Sequence, residues 1–251
     1  MNTILDVCGL VKNFRGIVAT DNASIGIRDG ELHALIGPNG AGKSTLVNQI
    51  SGEIRPDAGS ILFQGHDVTQ WPAWRRAQEG LVRSYQITSV FNEFTALDNV
   101  MLAVQARSGR NFASWRNVSH DPALTAPAMD ALELVGLEGE ACVQVSEMAH
   151  GARRQLELAM AIALQPKLML LDEPLAGMSQ AESESMTALL QRLKGKISIL
   201  LIEHDMQAVF ALADRVTVLV AGRPVATGTP DEIRTSKEVQ DAYLGEPEDM
   251  I

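Results

Sequence analysis

Nine residues, Gly37-Pro38-Asn39-Gly40-Ala41-Gly42-Lys43-Ser44-Thr45, leave this chain few folds to choose from. They stand between an apolar run, Leu32 to Ile36, and a helix-like run, Leu46 to Ile50. In the spacing GxxxxGKS the glycines let the backbone curl until successive N–H groups point inward, making an anion nest at the N-terminus of a helix. Lys43 then reaches the β- and γ-phosphates of a nucleotide, and the Ser44 hydroxyl is placed to hold Mg²⁺. A glycine-rich turn capping an ordinary helix would not account for strand, loop and helix in that order. The loop alone fits GTPases, kinases, motors and transport ATPases equally.

The chain has 251 residues, 46% of them hydrophobic, enough for one large α/β domain or a domain with an inserted subdomain. A formal net charge of −10 does not suit a protein that wraps nucleic acid. Cys8 and Cys142 stand far apart in no metal-ligand spacing, and read as structural thiols of a reducing compartment. The longest apolar runs, Ile197 to Ile202 and Val216 to Ala221, are strand-sized and far from the ~20 residues that span a bilayer. Met1 to Asp6 has neither a basic flank nor a long apolar region, so no secretory signal is expected and the chain is placed in the cytosol.

Residues 4 to 36 alternate apolar and polar positions in runs broken by Gly16, Asp29-Gly30 and Gly37, which predicts several strands before the phosphate loop. Ser60 to Phe63 and Leu81 to Ser84 read as further strands. From about Ile87 to Ala159 apolar residues recur at helical spacing, in Leu97 to Val104 and Met129 to Val135, the pattern of a helical insertion. Within it, Ala106 to Asp121 has no clear period and reads as a loop or short helix. Gly151 to Leu164 is an amphipathic helix stopped by Pro166, and Leu168 to Leu171 a buried parallel strand. Helix 180 to 193, strand 197 to 202, helix 205 to 212 and strand 215 to 220 then alternate as in a parallel sheet with crossover helices, and Pro230 to Leu244 reads as two short helices.

A carboxylate at the end of a buried strand after a phosphate loop is where Mg²⁺ is held, which marks Asp172 as the metal-side residue. Glu173 would face the γ-phosphate and orient or partly deprotonate the attacking water. His204, after the apolar run Ile199 to Ile202, could hydrogen-bond the γ-phosphate and that water, although a lone strand-end histidine is more often unremarkable. Gln86, after another strand-sized run, could reach Mg²⁺ and water.

GPNGAGKST at 37 to 45, Gln86, LMLLDEP at 168 to 174 and IEHD at 202 to 205, in this order, resemble the nucleotide-binding subunits of ABC transporters over nearly the whole chain. The stretches VFNEFTALDNVMLA (90 to 103), MAHGARRQLELAMAIALQPKLMLLDEPLAGM (148 to 178) and TPDEIRTSKEVQDAYLGE (229 to 246) are similar to the ATPases of branched-chain amino acid importers, the LivG-like group. The resemblance implies an α/β P-loop NTPase core, a parallel sheet plus an antiparallel β subdomain, with an inserted α-helical subdomain. It divides one nucleotide-binding domain, 1–251, into an ATP-binding core at 1–86 and 160–251 and a helical signature subdomain at 87–159.

By the same resemblance the substrate is ATP, held with Mg²⁺. Phe14, which by itself reads as core, stacks on adenine, and Gly37, Pro38, Asn39, Gly40, Ala41, Gly42, Lys43, Ser44 and Thr45 hold the phosphates. Ser44, Gln86 and Asp172 form the metal side, and Lys43, Gln86, Glu173 and His204 the catalytic set. The family's LSGGQ signature stands here as Met148-Ala149-His150-Gly151-Ala152, so Ala149 lacks the serine hydroxyl and Ala152 the glutamine amide. Gly151 and the helix behind it can still present N–H groups and a helix dipole to phosphate. Ala176-Gly177-Met178-Ser179 also lacks the aspartate that many relatives carry after the second motif.

The implied partners are a second ABC ATPase subunit (a paralogue, or a copy of this chain), membrane permease subunits docking on Ile87 to Val100, including Phe91 and Phe94, which otherwise read as core of the insertion, and indirectly a periplasmic or extracellular solute-binding protein. No nucleic acid is expected. The implied place is peripheral, at the cytoplasmic face of a bacterial inner membrane. Alternative functions are an ABC ATPase for urea, amide or aromatic solutes, a non-transport ABC ATPase, and a nucleotide switch.

Overall fold

The computed structural model describes residues 2–84, 90–107 and 121–243, the side chains of the last two excepted. Gln86 and most of 106–121 lie outside the described residues.

Two long strands, β1 (Thr3–Phe14) and β2 (Ile17–Arg28), open the chain as a hairpin. Their connection is Arg15-Gly16, both at positive φ, the primed turn whose twist matches that of the flanking strands. β3 (Leu32–Ile36) leads into the phosphate loop and α1 (Lys43–Ser51). Then come β4 (Ala58–Phe63), β5 (His66–Asp67), α2 (Ala73–Gln78) and β6 (Leu81–Arg83). Three helices follow, α3 (Ala96–Arg107), α4 (Pro122–Val135) and α5 (His150–Ala163). The remainder alternates: β7 (Leu168–Asp172), α6 (Gln180–Leu193), β8 (Ser198–Ile202), α7 (Met206–Leu212), β9 (Arg215–Val220), β10 (Arg223–Gly228), α8 (Pro230–Thr235) and α9 (Lys237–Tyr243).

The strands form two sheets. β2-β1-β4-β5 is antiparallel, and β10-β9-β3-β8-β7-β6 is parallel except for β10 at its edge. The near-continuous apolar sequences of β3, β7 and β8 follow from burial of the second sheet on both faces. Side chains alternate across a strand. Leu35, Leu168, Leu170, Leu200, Ile202 and Leu219 pack with α1 and the antiparallel sheet. Ala34, Ile36, Met169, Leu171, Ile199 and Leu201 pack into a second core with α3 to α7. The parallel sheet is thus the shared middle layer.

Element ends follow local chemistry. Asp121 caps α4 by accepting from Ala123 N, with Pro122 in the first turn and Gly136 ending it. Ser179 with Glu182, and Thr229 with Glu232, close capping boxes on α6 and α8. α5 runs unbroken across residues 159 and 160, so the seam expected there falls inside one helix.

Three elements were not expected. β10 is an edge strand containing Pro224, half exposed and without a clean apolar face. β5 is only two residues long. α2 is inside-out: Trp74 is exposed while Arg76 is buried, donating to the carbonyls of Gln49, Ile50, Thr69 and Trp71. Burial lowers the Arg76 pKa to about 10. The two cysteines expected as structural are both free and exposed, because each lies on an outward position of its segment.

Candidate functional site

The site grows from the carboxyl ends of three neighbouring parallel strands. Leu35 of β3 is opposite Ile202 of β8, which is opposite Asp172 of β7. The chain therefore leaves the sheet at one edge in three places: the loop 37–42, Glu203-His204, and Glu173. From β3 to β7 is two strand spacings, about 10 Å.

The phosphate loop is shaped by close approach. A Cβ on Gly37 would fall 2.0 Å from the Leu219 carbonyl oxygen, and one on Gly42 2.1 Å from that of Ala19, each at positive φ. No side chain fits at these two positions, where the loop backbone closes directly on β9 and β2. Gly42 caps α1 in the left-handed conformation with no side-chain cap, and no acidic residue stands in the first turn. No side-chain cap or carboxylate thus competes with an anion at the start of the helix. Lys43 Nζ lies over the loop, donating to the Gly37 and Pro38 carbonyls. Ser44 is exposed beside it, and Ala41 is buried and anchors the loop through its bonds to Pro38 and Gly222. Asn39 and Gly40 are exposed at the tip and Thr45 is half-buried. A glycine cradle, a lysine and uncapped helix N–H groups fit a nucleotide triphosphate. A serine hydroxyl and a nearby carboxylate are the hard oxygen donors Mg²⁺ takes.

Asp172 ends β7 with Arg83 Nη2 donating to its Oδ2 at 2.8 Å. Glu173 follows at φ 49, a strained conformation for a non-glycine residue. Its N–H donates to Ile202 O at 2.8 Å, which turns the half-exposed carboxylate out of the sheet. His204 Nδ1 lies 4.0 Å from Glu173 Oε1. The structure therefore brings the two together from adjacent strands. The brace between them is Glu203, fully buried, which accepts from Leu175 N at 2.8 Å and His204 N at 3.2 Å. Burial pushes its carboxyl pKa up, against those hydrogen bonds.

Phe14 is 42% exposed at the tip of the β1–β2 hairpin, with Ile17 and Val18 exposed beside it. That tip is tied to the phosphate loop: Ala19 O abuts Gly42, and Thr20 Oγ1 donates to Gln49 Oε1 at 3.0 Å. An exposed aromatic is thus delivered near the loop, where burial in the core had been the reading without the resemblance. Met148-Ala149-His150-Gly151-Ala152 opens α5, with Ala149 as a cap that makes no side-chain bond. A Cβ on Gly151 would fall 2.4 Å from Glu182 Oε1, so a larger residue there would displace that carboxylate. Hydrogen bonds from Ser179, and the Gly151 N–H beside it, hold the Glu182 carboxyl below its ordinary range.

A family model described as "ABC transporter" matches residues 20–176, and one described as "Branched-chain amino acid ATP-binding cassette transporter" matches 223–249. The chain belongs to the ABC transporter ATP-binding family. This ABC ATPase is 37% identical to the high-affinity branched-chain amino acid transport ATP-binding protein LivG of Escherichia coli strain K12, over 97% of this chain and 98% of that protein. It is 34% identical to the corresponding protein BraF of Pseudomonas aeruginosa, over 97% and 98%. Among solved structures it is similar to the ADP conformation of MJ1267, an ATP-binding cassette of an ABC transporter, with TM-score 0.86, 27% identity, and 98% and 100% of the two chains covered. No helix of this ABC ATPase among the described residues is long and apolar enough to cross a membrane.

Sequence reading missed Arg83 and Glu203. A signal existed for each, a charge set in or against an otherwise buried strand, Leu81-Val82-Arg83 and Ile199 to Glu203.

Proposed function

We propose that this chain is the ATP-hydrolysing subunit of a membrane importer for branched-chain amino acids or a related small solute. The observation that carries it is the meeting of Glu173 and His204, 4.0 Å apart, at the sheet edge that holds the glycine cradle. The names of the relatives, transport ATP-binding proteins for branched-chain amino acids, support the solute class.

In this reading the loop 37–45 surrounds the phosphates with N–H groups, and Lys43 moves from the Gly37 and Pro38 carbonyls to the γ-phosphate. Ser44, Asp172 and Gln86 would hold Mg²⁺, which would supply positive charge against the phosphate oxygens. Glu173 accepts a hydrogen bond from the attacking water, aligning it and taking part of its proton. His204 donates to the γ-phosphate and steadies the water. Phe14 stacks on the adenine. The helical segment at 87–159 carries the signature, and Ala149, Gly151 and the α5 N-terminus face the nucleotide of a second ATPase subunit, giving a composite site.

Phe91 and Phe94, stacked at 5.3 Å and about half exposed, form the docking surface for a permease, on a turn held to α3 by buried Asn99. The subunit then works peripherally at the cytoplasmic face of the membrane. Glu173→Gln tests the catalytic assignment. Phosphate release by the assembled transporter should fall at least 100-fold, the scale of general-base loss, with ATP binding retained. Unchanged turnover would rule Glu173 out.

A further inference from the structure

Arg83 closes β6 with its side chain only 4% exposed. Its fork of donors serves two elements at once. Nη1 donates to Asn48 Oδ1 on α1, and to Glu53 Oε2 at 3.2 Å just past the helix, while Nη2 donates to Asp172 Oδ2 at 2.8 Å. Arg83 is opposite Leu170 in the parallel β6–β7 pair, so the guanidinium reaches two residues along the neighbouring strand to Asp172. Asn48 lies one turn along α1 from Ser44, on the same face.

We infer that Arg83 is a positioning residue for the metal side of the site: it sets the orientation of the Asp172 carboxylate and its placement relative to the Ser44 face of α1. The inference rests on the proposed roles of Asp172 and Ser44. Burying a guanidinium is unfavourable unless its charge is met, and here the Glu53 and Asp172 carboxylates and the Asn48 amide oxygen take Nη1 and Nη2. Leu81 and Val82 show that apolar side chains fill the rest of this strand, so packing alone does not call for an arginine. The guanidinium takes Asp172 Oδ2 and leaves the second carboxylate oxygen for another partner. A lysine could not reproduce this, because a point charge does not span α1 and β7 in fixed geometry. Without the fork, Asp172 turns freely and loses its counterion.

The test uses the full-length chain with Mn²⁺ as the metal and a fluorescent ATP analogue, bound Mn²⁺ being read by electron paramagnetic resonance. Arg83→Lys should weaken nucleotide-dependent Mn²⁺ binding roughly tenfold, the scale seen when a group orienting a metal ligand is lost. Metal-free binding of the analogue should stay the same. Asp172→Asn should weaken Mn²⁺ binding at least as much, and adding Arg83→Lys to it should change nothing further, since the effect runs through that carboxylate. Asn48→Ala, which leaves Arg83 but removes its tie to α1, should give a smaller loss of the same kind and covers the case in which Arg83→Lys fails to fold. Wild-type Mn²⁺ affinity in Arg83→Lys, or in Asn48→Ala if that alone folds, overturns the inference, as does an additive loss in the double variant. If Asp172→Asn weakens Mn²⁺ binding and Arg83→Lys does not, the positioning role alone falls. If Asp172→Asn leaves it unchanged, the site assignment falls and takes the inference with it.

Discussion

A methyl group at Gly42 would lie 2.1 Å from the Ala19 carbonyl oxygen, while one at Gly40 meets nothing within 4 Å. Both residues have positive φ, so an alanine strains the backbone at either, by about 1–2 kcal/mol. Only at Gly42 must two segments also be pushed apart. Gly42→Ala should therefore abolish binding of a fluorescent ATP analogue and lower the melting temperature, whereas Gly40→Ala should keep most of the affinity. Equal effects of the two would show that steric closure by β2 is not what shapes the loop. Glu173 belongs to the same scale: its left-handed backbone is stored strain, held by the Ile202 bond.

A polar ladder crosses the elements at the opposite end of β3. Glu31 Oε1 lies 3.0 Å from His33 Nδ1, His33 Nε2 2.8 Å from Thr217 Oγ1 on β9, and Thr217 Oγ1 2.8 Å from Thr227 Oγ1 on β10. Arg28 N–H also donates to Glu31, and Arg215 stands 3.9 Å away. Burial raises the Glu31 pKa, but the His33 bond, the Arg28 N–H and the nearby charges outweigh it and leave the pKa below the ordinary 4.5. A lowered carboxylate pKa contributes stability above the unfolded value, and that contribution is lost as pH falls through the folded one. Glu31→Gln should cost about 1–2 kcal/mol near neutrality, and the difference from wild type should shrink below about pH 4.5 in urea titrations. A difference that stayed constant with pH would place the effect in packing. The ladder also explains β10, whose strand sequence is weak but which Thr227 and the β9 pairing hold in place.

At the scale of the molecule, the proposed composite site leaves one face of the nucleotide to another subunit, and Met148 to Ala152 offer few side-chain donors for it. Glu173→Gln should form an ATP-dependent dimer only weakly, and Ala149→Ser with Ala152→Gln in that background should lower the half-dimerisation concentration by about tenfold, the worth of one hydrogen bond to a charged group. Sedimentation with ATP and with ADP checks it. A gain also seen with ADP would trace to better capping of α5 rather than to phosphate contact.

Local pattern alone determined the strand-loop-helix at 32–51, the strands and helices from Leu168 to Val220 nearly to the residue, and the short helices of the tail. These are the segments where burial on both faces, or one apolar stripe, writes itself into residue spacing. It also picked out Lys43 and Ser44 from the spacing of the glycine loop, and Asp172, Glu173 and His204 from standing at strand ends, as candidates. Only the tertiary structure decided that β7 and β8 set Glu173 beside His204, that Glu203 braces them, and that Arg83 joins Asp172 to α1. Strand order, and a buried charge meeting partners 30 to 89 residues away, leave no periodicity behind. A pairing between distant segments is settled by packing, not by local propensity.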